Sequence, residues 1–109
     1  MRPSKNAMRP VHPGEVLRHE FLEPLDMSAN ALASAIAVPA NRVSLILAGK
    51  RSVTADTALR LARAFGTSAE FWLNLQQAYD LRVAEPKNRG ALRKIRRVTS
   101  PASARSVAS

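Results

Sequence analysis

Apolar residues recur along the chain at helical spacing, and no stretch alternates in the way of a half-buried strand. Val16, Leu17 and Phe21 make the first stripe, in a helix expected from about Pro13 to Glu23. Proline is tolerated in a first helical turn, Glu15 suits a helix N-terminus, and Pro24 helps to end the segment. Ala29, Leu32, Ala33 and Ile36 make the second stripe, behind Ser28 as N-cap. Val43, Ile46 and Leu47 make the third, in a short helix that Pro39 opens and Gly49 closes. Ala58, Leu61, Ala62 and Phe65 make the fourth, with Thr54 as cap, Asp56 in the first turn and Gly66 as stop. Thr67 and Glu70 then read as a capping box, Thr67 at the N-cap. The fifth helix is expected to run to about Ala84, with Phe71, Trp72, Leu75, Ala78 and Tyr79 on one broad face. The expected fold is all-α, with five helices.

The second and third helices are short and lie close together, which is the helix-turn-helix spacing. The turn usually holds a glycine; here Ala37 stands in it. On the third helix Val43, Ile46 and Leu47 must face inward. The outer side carries Asn41, Leu45 and Ala48, with Ser44 on one edge and Arg42 on the other. This slim face suits a DNA major groove about 12 Å wide. Asn41 can pair bidentately with adenine and Arg42 with guanine, while Leu45 and Ala48 can meet thymine methyls. Lys50 and Arg51 follow the helix end and can reach phosphates, as can Ser28 with the free amides of the second helix.

Charge sharpens this picture. The chain of 109 residues has a formal charge of +9, but the excess sits at its ends. Residues 1–12 carry Arg2, Lys5 and Arg9, and residues 85–109 carry seven Lys and Arg against Glu85 alone. Residues 13–84 are neutral, with seven bases and seven acids. Within them, no acid stands between Asp26 and Asp56, only Arg42, Lys50 and Arg51. A solvated face is the common meaning of a charge run, but an acid-free window over a helix-turn-helix suits a polyanion. Three segments are therefore expected: a flexible basic arm over 1–12, a helix-turn-helix domain over 13–84, and a basic, disordered tail over 85–109. Leu92, Ile95 and Val98 in that tail are spaced for a partner-induced helical turn. Met8-Arg9-Pro10 repeats Met1-Arg2-Pro3, which makes Met8 an alternative start.

Other chemistry finds little support. With no cysteine, disulfides and thiolate metal sites are excluded. His12 and His19 lack the further ligands a stable metal site needs, so no metal and no cofactor is expected. His12 before Pro13 is expected to support the start of the helix. Glu20 and Glu23 share a helix, but acid–base work also needs a pocket. A solvated face is the better reading, and no enzyme is expected. There is no long apolar span and no signal peptide, so a cytoplasmic protein away from membranes is expected. A 72-residue helical unit has a thin core, which a second copy would help to complete.

The stretch HPGEVLRHEFLEPLDMSANALASAIAVPANRVSLILAGKRSVTADTALRLARAFGTSAEFWLNLQQAYDLR, His12 to Arg82, closely resembles the HigA-type antitoxins of the Xre helix-turn-helix family. The opening HPGE, PANRVS, GKRSVTADTALRLA and FGTSAEFWLNLQQAYDL carry the likeness. The resemblance implies a lambda-repressor-like fold and a homodimer that represses its own operon at a palindromic operator. It also implies a partner, a HigB-type toxin of RelE-like fold that cuts mRNA on the ribosome. By position, Ala40, Asn41, Arg42 and Ser44 would face bases, and Ser28, Lys50 and Arg51 would lie near the backbone. Toxin contacts are not fixed by any short motif. The competing readings are a stand-alone Xre-type regulator without a toxin, and a basic-tailed RNA- or ribosome-associated protein.

Overall fold

The computed structural model describes residues 9–98 and contains, among them, helices and no strand. α1 covers Pro13–Val16 and runs on without a break as a π-helical stretch over Leu17–Leu22. α2 covers Ala29–Ala35, α3 Ala40–Leu47, α4 Ala55–Phe65 and α5 Ala69–Arg93.

The first helix has the expected extent but a different register. Glu23 N–H donates to Arg18 O at 2.9 Å, five residues back rather than four. A five-residue closure brings Leu17 and Leu22 to the same side, and both are buried. Val16 and Phe21, expected in the inner stripe with Leu17, are half-buried beside them.

Four helices leave through a residue with left-handed backbone: Asp26 (φ 52), Ala37 (φ 59), Gly49 (φ 74) and Gly66 (φ 72). After each of them the next amide reaches back in the same way: Met27 to Leu22 O, Val38 to Ala33 O, Lys50 to Leu45 O and Thr67 to Ala62 O, at 2.8–3.2 Å. Glycine adopts this conformation freely and aspartate tolerates it. Ala37 does so at a cost of about 1–2 kcal/mol.

The core joins Leu17 and Leu22 to Leu32, Ala33, Ile36, Val43, Ile46, Val53, Ala58, Leu61 and Trp72. Trp72 is fully buried, and its indole N–H donates to Thr67 Oγ1 at 2.8 Å. That bond overturns the expected capping box. With Thr67 turned to the indole, the cap moves one residue on, and Ser68 Oγ accepts from Phe71 N–H at 3.0 Å. Phe21 lies 4.8 Å from Phe65 and 5.1 Å from Trp72 between ring centres, tying α1 to α4 and α5. Of the face expected on α5, Trp72 is buried, Leu75 and Tyr79 are half-buried, and Phe71 and Ala78 are exposed.

The end expected for the fifth helix near Ala84 is corrected. α5 continues to Arg93 with Pro86 inside it. Proline removes one amide donor and crowds the carbonyl four residues back, but its neighbours Ala84, Glu85, Lys87, Arg89 and Ala91 through Arg93 favour helix. Asn88 Nδ2 donates to Ala84 O at 2.8 Å, and Arg89 pairs with Glu85 at 3.3 Å across the same turn. The boundary expected at 84/85 therefore falls within a helix. Leu92 lies in that helix and Ile95 and Val98 beyond it, all exposed. At the other end, Arg9 grips Glu15 through two bonds of 2.9 and 3.1 Å, and His12 is buried. The rest of the expected arm and tail, 1–8 and 99–109, lies outside the described residues.

Candidate nucleic-acid interface

α3 is two-sided, as its periodicity demands. Val43 and Ile46 are 2% and 1% exposed, and Leu47 is half-buried against the core. Ala40, Asn41, Ser44 and Ala48 are exposed together on the opposite side. Ser44 Oγ donates to Ala40 O at 3.1 Å, which leaves its lone pairs for an outside donor. Leu45, expected on the outer face, is half-buried. Lys50 and Arg51 are exposed just beyond the helix. Ser28 caps α2, its Oγ accepting from Ala31 N–H at 3.0 Å, so its own proton remains available to an acceptor.

Arg42, expected to face bases, is engaged within the protein. Its Nη1 donates to Asp56 Oδ2 at 2.6 Å, and its side chain is only 24% exposed. Asp56 also accepts from Arg60 Nε, at 3.2 and 3.1 Å to its two oxygens. Arg60 Nη1 in turn donates to Ile36 O at 2.8 Å and Ala37 O at 3.3 Å. One ionic chain thus runs from α3 through the start of α4 to the turn before α3. The Arg42 and Arg60 guanidiniums hold the Asp56 carboxyl below the usual carboxylate range. Arg42 Nε is buried and has no hydrogen-bond partner.

The loop after α3 is fastened by groups that sequence reasoning passed over. Val53 N–H donates to Gln76 Oε1 at 2.8 Å, and Gln76 Nε2 donates to Asp80 Oδ1 at 2.9 Å. Gln76 is buried on α5, four residues from Trp72, and a lone polar residue on that stripe was its one sequence signal. His12 Nδ1 accepts from Gly14 N–H at 2.9 Å, and its ring stands edge-on to Tyr79 at 4.9 Å. Its expected support of the helix start is what the structure shows. Burial pushes His12 below its ordinary value near 6.5, against the opposite pull of Asp80, Glu15 and the Arg51 carbonyl. His19 Nδ1 lies 3.1 Å from Glu23 Oε1 on the same exposed turn.

Gly14 brings α1 against the end of α3. A Cβ there would lie 2.0 Å from Ile46 O and 2.9 Å from Ile46 C. Among the described residues, no group of three or more His, Asp or Glu is placed to hold a metal ion. No helix among them is long and apolar enough to cross a membrane.

A short helix packed on α2, presenting small and polar side chains outward and cations at its exit, defines a helix-turn-helix regulator. A helix-turn-helix family model matches residues 19–72. The chain is 54% identical over 81 residues to virulence-associated protein I of Dichelobacter nodosus, covering 74% of this chain and 75% of that one. It is 48% identical over 77 residues to antitoxin HigA-1 of Vibrio cholerae, covering 71% and 72%. Its fold superposes on the solved Pseudomonas aeruginosa antitoxin HigA with higBA promoter at a TM-score of 0.80, with 46% identity over 84% of this chain and all of that one. The chain belongs to the HigA-type antitoxins of the Xre helix-turn-helix family. That family is a class of DNA-binding regulators and not of enzymes.

Proposed function

We propose that this protein is a cytoplasmic antitoxin that represses its own operon as a homodimer and neutralises a HigB-type toxin. The observation that carries the reading is the exposed face of α3, Ala40, Asn41, Ser44 and Ala48, braced from behind by Val43 and Ile46. The major groove admits such a helix, and Asn41 supplies a bidentate partner for adenine. Lys50, Arg51 and Ser28 flank it as phosphate contacts that set register. A two-fold dimer places two copies of α3 about 34 Å apart, one turn of a palindromic operator. The cations of residues 85–109 add sequence-independent, salt-sensitive affinity.

The test has two arms. Asn41→Ala should weaken operator binding by about 1–3 kcal/mol while sparing random duplex. Equal loss on both would remove base reading from α3. Co-expression with the product of the reading frame just upstream should give a stable complex and restore growth, and Asn41→Ala should restore growth equally well. A chain that binds its operator but neither binds nor rescues the neighbour would be a stand-alone regulator.

A further inference from the structure

Arg42 sits among the base-facing residues of α3, yet its guanidinium is engaged within the protein. A free arginine offers five N–H donors in a planar fork, and guanine is read by a pair of them. Here Nη1 is held by Asp56 at 2.6 Å and Nε is buried. The side-on edge is closed because Nε is buried, and the carboxylate on Nη1 fixes the orientation of the rest of the fork.

We propose that Asp56, a residue of α4 outside the reading helix, determines specificity by restraining Arg42 from bidentate contact with guanine. The proposal rests on the reading of α3 as the base-contacting helix. With the carboxylate in place, Arg42 donates one bond, to a phosphate or to one base acceptor, and discriminates weakly at its position. With the carboxylate removed, the same arginine is a guanine reader. Asp56 acts only through Arg42 and is a positioning residue. The shared bonds to Arg60 explain how it holds its own place, since the carboxylate is fixed from two sides and Arg60 is fixed by the carbonyls of Ile36 and Ala37.

The experiment selects bound duplexes from a library randomised over about two helical turns and sequences them, using the full chain. Asp56→Ala should create, at one position per half-site, a guanine preference about five- to tenfold above that of the wild type, the lower range of one base-reading pair. Asp56→Asn, which keeps an acceptor but loses the charge, should give a smaller shift of the same kind. In an Arg42→Ala background the Asp56 substitutions should change no base preference. Arg60→Ala should lower thermal stability without producing the shift.

An Asp56→Ala profile equal to the wild type, or a shift that survives removal of Arg42, overturns the proposal. So does an Arg60→Ala variant that reproduces the shift, because the turn and not the restraint would then set the preference. If Asn41→Ala leaves the selected sequences unchanged, α3 does not read bases. The function reading then fails together with this one, and that outcome is distinct from failure of the restraint alone.

Discussion

The two ends of α3 are held in opposite ways. Its beginning is held by charge at the surface: Arg42, Asp56 and Arg60, with the strained Ala37 just before it. Its end is held by neutral groups in the interior: Gln76 on the Val53 amide, His12 behind the loop, and Gly14 against the Ile46 carbonyl. Surface ion pairs are screened by salt and hold weakly, whereas a buried amide left without its acceptor costs its full desolvation. The end of the reading helix is therefore anchored, and its beginning is adjustable. In the function proposed above, base contacts come from the adjustable end, and phosphate contacts from Lys50 and Arg51 beside the anchored one. That reading puts the register-setting contacts at the rigid end and the discriminating ones where they can be retuned.

The difference can be broken most severely at Gly14. Gly14→Ala forces two backbones apart, because the new methyl would meet Ile46 O at 2.0 Å. A loss of about 3 kcal/mol is expected, at the upper end of overpacking costs, read from the urea unfolding midpoint. A loss below about 1 kcal/mol would mean the close approach is not rigid. Gln76→Leu should cost about 2 kcal/mol by stranding the buried Val53 amide. That cost should be the same in low and high salt. A salt-sensitive cost would erase the contrast between the two ends.

At the other end the expected effect is smaller and opposite in sign. Ala37→Gly relieves the left-handed strain but adds freedom to the unfolded chain, for a net gain of about 0.5–1 kcal/mol in thermal unfolding. A destabilised variant would show that the alanine methyl matters more than its backbone angle.

The smallest effect depends on pH. His12 must stay neutral to accept the Gly14 amide through Nδ1, and its folded value is depressed. Its contribution is complete above the ordinary value near 6.5 and declines as pH falls below it, because the unfolded chain takes up the proton first. His12→Asn, which can still cap the helix, should remove this decline from the stability profile between about pH 7 and 5. An unchanged slope would assign the proton uptake elsewhere.

The helices were legible because their signals are local. Apolar periodicity placed the stripes, and Ser28, Gly49, Gly66 and the prolines marked the edges. Three features were missed for identifiable reasons. Val16, Leu17 and Phe21 already make a complete α-helical stripe, so nothing announced that Leu17 and Leu22, five apart, share a side. Thr67 and Ser68 are adjacent and both able to cap, and only the indole of Trp72 decides between them. Apolar periodicity fades near Ala84, so nothing announced that α5 continues through Pro86 to Arg93. The candidate site divided along the same line. The two-sided character of α3 follows from its own sequence, with Asn41 and Ser44 outward. The restraint on Arg42 comes from 14 residues away and the loop anchor from 23, beyond any local pattern.

The absence of a side chain at Gly14 has a mechanical consequence. Backbone meets backbone there, so no rotamer lies between the start of α1 and the end of α3 to absorb a displacement. A tug on the chain at His12 is passed undamped to the foot of α3, and a displacement of α3 is passed back to His12.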